Sequence, residues 1–373
     1  MSFNQRFKRR AFLGSLAVVS LSFAACQTAP PETPSANAPA GSPAAPAAGG
    51  GGTISLNGAG ASFPAPLYTR WFSEYNKLNP NVQISYQSVG SGAGVEQFLA
   101  GTVDFGATDD PLKAEQRDQF KQKYGAEPIQ VPMTAGSVVM AYNLPDVPEL
   151  KLSREALCGI VDGSITKWND PKIASENSGV NLPDRSISFV HRSDGSGTTA
   201  VFTNHIKAAC PNWKAGAAKS IEWPVGTGAK GNEGITAQVQ QTQGALGYVE
   251  YAYAKQNGLT MAQLQNKTGN FITPSPEAGG LAFKGATLPA DFALRVADPA
   301  DPQAYPITSL TWMLFYPTEA GKYDATKAET IQSVVTWSLT DGQTFATELG
   351  YIPLPGDIET QVKSTVQSKV VAK

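Results

Sequence analysis

The sequence predicts an α/β protein of two lobes, each a mainly parallel sheet flanked by helices, joined by a hinge of two chain crossovers. Three observations predict it. Between residues 53 and 124, strand-like alternation gives way to a small-residue turn and then to helical spacing three times in succession, and such repeats build parallel sheets. The apolar passage Pro128 to Asn143, punctuated by Pro132 and Gly136, reads as a crossover into a second lobe, with a return near Tyr305-Pro306-Ile307-Thr308. Within that second lobe, Arg192-Ser193-Asp194-Gly195-Ser196-Gly197-Thr198-Thr199 joins an apolar run to a helical one.

Residues 1–26 are expected to be an export signal. Arg6, Lys8, Arg9 and Arg10 form a positive head, and Ala11 to Ala25 form an apolar run too short to span a bilayer comfortably. Arg9-Arg10-Ala11-Phe12-Leu13 resembles a twin-arginine signal. The segment ending Ala24-Ala25-Cys26 resembles a bacterial lipobox, with Phe23 where Leu is usual, which makes Cys26 the expected lipidation site. Residues 27–52 are rich in Pro, Ala and Gly with Glu32 the only charge, a composition that buries no core and reads as a tether.

The remainder is long enough for two lobes: 53–134 with 309–373 as lobe I, and 135–308 as lobe II. The formal net charge of the chain is −2, and without the four leader cations the rest is more negative still, which argues against nucleic acid as a partner. An anion site here must therefore work by local geometry. With Cys26 lipidated, Cys158 and Cys210 remain as an even pair in an oxidising compartment, a disulfide candidate.

The body opens with a short strand, the turn Gly58 to Pro66, and a helix through Leu67, Trp71, Tyr75 and Leu78. Pro64 and Pro66 suit a helix start, where their missing N–H groups would be orphans. Val82, Ile84 and Tyr86 alternate as a strand, Gly90 to Gly94 form a turn, and Val95, Phe98 and Leu99 begin a helix. Val103 to Ala107 form a strand ending at Thr108-Asp109-Asp110-Pro111, before a charged helix from Lys113 to Lys123. Ser62, Ser91 and Asp109 thus all lie beyond the carboxyl ends of strands, where open α/β sheets place their ligands. Ile187, Phe189 and His191 alternate as a half-buried strand, and Ala200, Val201, Phe202, His205 and Ile206 mark a helix. Two closing helices are expected around Ile331 to Leu349 and Ile358 to Lys369.

The octet between strand and helix leaves backbone N–H groups unpaired at a positive helix end, which favours an anion. Ser196 and Thr198 add hydroxyls, Arg192 adds a fork of donors, and Asp194 is close enough to hold that fork. The chemistry is capture of a small oxyanion.

Gly58-Ala59-Gly60-Ala61-Ser62-Phe63-Pro64-Ala65-Pro66, Val103-Asp104-Phe105-Gly106-Ala107, the Arg192 octet and Gly244 to Ala252 together resemble the phosphate-binding proteins of bacterial high-affinity phosphate ABC transporters. Lys167-Trp168-Asn169-Asp170, Trp223-Pro224-Val225-Gly226 and Lys230-Gly231-Asn232 fit the same pattern, in order from about residue 54 to at least 315. The resemblance implies a type II periplasmic-binding-protein fold and a phosphate site of Ser62, Phe63, Ser91, Asp109, Arg192, Asp194, Ser196, Gly197 and Thr198. Ser62 for the commoner Thr, and Thr108 before Asp109, are departures that keep hydroxyl chemistry. It further implies a periplasmic, lipid-anchored monomer that delivers phosphate to permease and ATPase subunits, with no cofactor or metal.

Residue chemistry points the same way. Phosphate near neutral pH keeps a proton, which a buried carboxylate such as Asp109 accepts; sulfate has none to give. A site built on such a bond rejects the wrong partner by roughly four to five powers of ten. Another tetrahedral oxyanion is the alternative ligand. A secreted phosphatase is the alternative class, but His191 and His205 are the only histidines, too few for the usual nitrogen-rich metal site, and no Gly-x-Ser-x-Gly elbow surrounds Ser91 or Ser196. Gly226 to Gly231 carries a Gly-x-Gly-x-x-Gly pattern, read here as a turn, with Lys230 a solvated loop residue.

Overall fold

The computed structural model describes residues 52–372; the export signal, Cys26 and the tether through residue 51 lie outside the described residues. Leu56 and Ala59 pack inward from β1 (Ile54–Gly60). Helix α1 (Ala65–Leu78) follows directly, its entry fixed by Pro64 and Pro66. Leu67, Tyr68, Trp71 and Tyr75 are buried along one stripe, whereas Leu78 is 65% exposed and ends the stripe at solvent. β2 (Val82–Ser88), α2 (Ser91–Ala100), β3 (Phe105–Thr108) and α3 (Ala114–Tyr124) repeat the unit. The glycine run expected to form a turn before Val95 is itself the first turn of α2, so Ser91 sits on the helix and not on a loop.

The Pro128 to Asn143 passage is a single strand, β4 (Ile129–Tyr142), buried along its whole length. α4 (Arg154–Asp162) and β5 (Ser188–Arg192) follow, with Phe189 and Val190 both buried. The expected alternation fails there because the strand is interior to a parallel sheet covered on both faces. α5 (Gly197–Ala209), β6 (Thr227–Ala229), α6 (Gly231–Gln241), β7 (Ala245–Glu250) and α7 (Tyr251–Gln256) complete the second lobe's frame. β8 (Thr308–Phe315) returns beside β4. The first closing element is two helices, α8 (Ala325–Ser338) and α9 (Gln343–Leu349), interrupted near Gly342, and α10 (Gly356–Lys369) is the second.

The main sheet runs β2-β1-β3-β8-β4-β7-β5-β6. β1, β2 and β3 are mutually parallel, as are β5, β6 and β7, while β4 and β8 are the antiparallel pair between the two groups. β4 pairs with β8 up to Ser137 and with β7 from Val138. The returning chain meets it at the same point, where Val138 N–H donates to Ile307 O at 2.9 Å. Two adjacent strands thus carry both passages between the halves of a two-lobed fold. The closing helices belong with β1 to β3: Trp71 Nε1 donates to Gly342 O at 2.7 Å and Tyr75 Oη to Ser333 Oγ at 2.8 Å. Cys158 on α4 is bonded to Cys210 at the end of α5, Cα to Cα 5.6 Å.

Candidate oxyanion-binding site

The turn after β1 is gripped from behind by three tyrosines. Tyr86, Tyr253 and Tyr351 donate to the carbonyls of Ala61, Ser62 and Phe63, each at 2.7 Å. Burial raises all three phenols well above their ordinary pKa, so they stay neutral donors. With these carbonyls taken, the N–H groups of Ser62 and Phe63 are left without a protein acceptor among the described residues. Ser62 and Phe63 are themselves buried.

The second lobe supplies the Arg192 octet. Ser196 caps α5, its Oγ accepting from Thr199 N–H at 3.0 Å, and the N–H groups of Gly197 and Thr198 are the orphan donors of that helix end. Arg192 is 4% exposed. Its Nε donates to Asp194 Oδ1 at 2.7 Å, Nη2 reaches Asp194 Oδ2, and Nη1 reaches Thr198 Oγ1 at 3.4 Å. Burial alone would push the Asp194 carboxyl up, but the guanidinium and the Gly231 N–H hold it below the usual range. The backbone of Arg192 is anchored in turn by Tyr248, whose hydroxyl accepts its N–H at 2.9 Å.

Between these halves stands Asp109, 2% exposed. Thr311 Oγ1 donates to its Oδ1 at 2.8 Å, and Ser91 Oγ lies 3.3 Å from Oδ2. Burial pushes the carboxyl up to about 7, against the lowering effect of the Thr311 and Ser91 hydroxyls and of the Arg192 and Lys219 charges. Gly197 approaches so closely that a Cβ there would overlap Ser91 Oγ and Asp109 Oδ2. Gly92 N–H donates to Gly195 O at 2.7 Å, a second backbone contact between the lobes.

All nine residues singled out for an oxyanion therefore fall in one cluster at the seam of the two lobes, eight of them buried and Asp194 half-buried. The sequence reading missed four of its supports. Asn232 donates through Nδ2 to Ser62 Oγ at 2.8 Å and to Thr198 Oγ1 at 3.2 Å. It stands at the start of α6, so Gly226 to Gly231 joins a strand to a helix that enters the site, which the reading as a mere turn did not foresee; Lys230 itself is exposed. Thr311 lies at an irregularity in β8 opposite Thr134, next to Pro132, and a bulge there re-aims a side chain. Lys219 Nζ stands 3.5 Å from Asp110 Oδ2, an ion pair too long for a hydrogen bond. Glu250 is wholly buried behind Asn232, and burial pushes its carboxyl well up. Lys230-Gly231-Asn232 was visible as a motif; the others carry no local signal.

The arrangement presents many donors around the Asp109 carboxyl, while Asp194 is held by Arg192, Asp110 by Arg295 and Lys219, and Glu250 accepts from the Ala252 N–H. Among the described residues no group of three or more His, Cys, Asp or Glu could hold a metal ion. Both histidines have Nδ1 engaged with backbone, His205 with Ala297 O and His191 with Arg192 O.

Residues 40–341 match the model of a PBP superfamily domain. The chain is 43% identical over 321 residues to the phosphate-binding protein PstS of Pasteurella multocida, covering 84% of this chain and 90% of that protein. It is 38% identical over 328 residues to PstS of Methanocaldococcus jannaschii, covering 82% and 84% respectively. In structure it resembles a phosphate-binding protein from Stenotrophomonas maltophilia with a TM-score of 0.67 at 21% identity, over 84% of this chain and 94% of that one, a likeness of fold. On these matches the chain belongs to the PstS family of phosphate-binding proteins within the PBP superfamily.

Proposed function

We propose that this protein captures inorganic phosphate between its lobes and delivers it to the permease and ATPase subunits of an ABC importer. The observation that carries the reading is the charge pattern of the site: converging N–H, hydroxyl and guanidinium donors around the buried Asp109 carboxyl. Ser62, Phe63, Ser91, Arg192, Ser196, Gly197 and Thr198 donate to phosphate oxygens, with Asp194 holding Arg192. Asp109, poised near neutrality, shares the proton that phosphate brings. Above about pH 7, where Asp109 has lost its own proton, a fully deprotonated anion such as sulfate would set an oxygen against the carboxylate with no proton between them, the basis for rejecting it. The protein is a receptor and not an enzyme, working as a monomer in the periplasm, anchored through lipid on Cys26.

Isothermal titration of phosphate-stripped protein with phosphate, sulfate and arsenate tests the reading. Tight one-to-one phosphate binding with sulfate silent is expected. Asp109→Asn is expected to erode the preference for phosphate over sulfate more than it weakens phosphate binding. An unchanged preference would remove Asp109 from the selective role, and no binding by any oxyanion would remove the function.

A further inference from the structure

Asn232 is wholly buried, and its contacts fix the direction of protons on either side of it. The N–H of Glu250 points at one end of the side-chain amide from 3.0 Å. A backbone N–H can only donate, so that end is Oδ1 and the other is Nδ2, which settles an assignment otherwise open for any asparagine. Both Nδ2 protons are then spent, one on Ser62 Oγ and one on Thr198 Oγ1.

A hydroxyl has two lone pairs and one proton. Ser62 Oγ accepts from Asn232 Nδ2 at 2.8 Å and from Asn232 N–H at 3.1 Å. Thr198 Oγ1 accepts from Asn232 Nδ2 at 3.2 Å and from Arg192 Nη1 at 3.4 Å. Every one of these donors is a nitrogen with no capacity to accept. The lone pairs of both hydroxyls are filled from behind, and each hydroxyl is left with one thing to offer, its proton.

Resting on the phosphate reading above, we propose that Asn232 is a positioning residue that locks the Ser62 and Thr198 hydroxyls, one from each lobe, as obligate donors to the bound anion. The lock has a consequence for selectivity. With these two hydroxyls unable to accept, a proton on the ligand finds no welcome at their end of the site and is directed toward Asp109. Asn232 thus sets the protonation pattern of the ligand without touching it. Because Ser62 and Thr198 come from different lobes, the pattern is complete only when the lobes are together.

Neutron diffraction from deuterated crystals of the phosphate complex reads the inference directly. The Ser62 and Thr198 deuterons are expected to lie on the lines to phosphate oxygens, with both Asn232 Nδ2 deuterons pointing back at the two hydroxyl oxygens. Either hydroxyl deuteron aimed at Asn232 or at Asp109 would overturn it. The paired solution measurement is phosphate titration of Asn232→Asp beside the wild type, with melting of both ligand-free proteins as the check on folding. Replacing Nδ2 by an acceptor turns both hydroxyl protons inward, and reversing two bonds to an anion is expected to cost about 100-fold or more in affinity. That loss should shrink as pH falls and the new carboxyl regains a proton to donate, and a loss below about threefold across the pH range would overturn the inference. Failure of the wild type to bind phosphate would instead sink the functional reading, so the two failures are distinguishable.

Discussion

At the scale of single residues, the Asp109 carboxyl carries a cost to folding that pH can read. Burial raises it to about 7, and the Thr311 and Ser91 hydroxyls and the Arg192 charge recover only part of the shift. The sign of the consequence follows from linkage. A carboxyl whose pKa is higher in the folded protein than its ordinary 3.9 or so binds its proton more tightly when folded. Stability is then greatest below about pH 4, falls as pH rises toward about 7, and is flat beyond. Asp109→Asn removes that penalty, with a ceiling of about 4 kcal/mol. The ligand-free variant should therefore exceed the wild type in melting temperature by more at pH 8 than at pH 5. Calorimetry in phosphate-free buffer checks it, and an equal offset at both pH values would mean that Asp109 ionises normally. Asp109 could be picked out from sequence because it sits where a strand ends. Thr311, which holds it, could not: it reaches the carboxyl from 202 positions away through strand pairing.

At the scale of elements, what was legible and what was not divide by the range of the interaction that decides them. The strand and helix of each early unit follow from local periodicity, and Ser62, Ser91 and Asp109 lie just past the carboxyl ends of their strands. Local reasoning failed where tertiary cover decides. The passage read from Pro132 and Gly136 as a crossover is one, but as a single continuous strand, β4, which holds Pro132 beside the β8 irregularity, where a missing N–H is tolerated. The start of α2 read as a turn because Ser91 to Gly94 is rich in glycine, and that richness is what lets the helix end approach the octet. Gly197 makes the same point testable. Its backbone needs no left-handed angle, so alanine should leave α5 intact. A Cβ would overlap Ser91 and Asp109 only with the lobes together. An overpacking cost of about 1–3 kcal/mol would then fall on closure alone, about 5- to 150-fold in phosphate affinity. Titration and melting of Gly197→Ala separate the outcomes: weaker binding with an unchanged melting temperature is expected, and a parallel loss of both would place the clash in the fold itself.

At the scale of the whole molecule, closure has to settle charge as well as shape. Asp109 and Asp110 stand side by side at the end of β3, two carboxylates on the first lobe facing a site meant for an anion. Asp110 is met from the second lobe's side of the sequence by two cations: Arg295 Nη2 at 2.8 Å from Oδ1 and Lys219 Nζ at 3.5 Å from Oδ2. The two are not equivalent. The Arg295 side chain is 44% exposed and its pair is the kind that water and salt screen. The Lys219 side chain is 13% exposed, its backbone carbonyl accepts the Ser196 N–H at 2.8 Å, and its charge also bears on Asp109. Burial lowers the Lys219 pKa, with Asp110 and Asp109 acting against that, so the ammonium depends on closure for its partners as they depend on it. Lys219→Met keeps the stem that packs in the cleft and removes the charge. It leaves Asp110 with its screened partner only and raises the negative potential at Asp109. Both effects oppose a bound anion, and phosphate affinity at pH 8 and low salt should fall roughly tenfold or more. Arg295→Met should lose less, and the wild-type excess over Lys219→Met should persist at high salt because the lysine is buried. Titrations of the three proteins at two ionic strengths check this: a Lys219→Met affinity equal to wild type would mean that Asp110 is neutralised from solvent and that closure needs no cation from the opposite lobe.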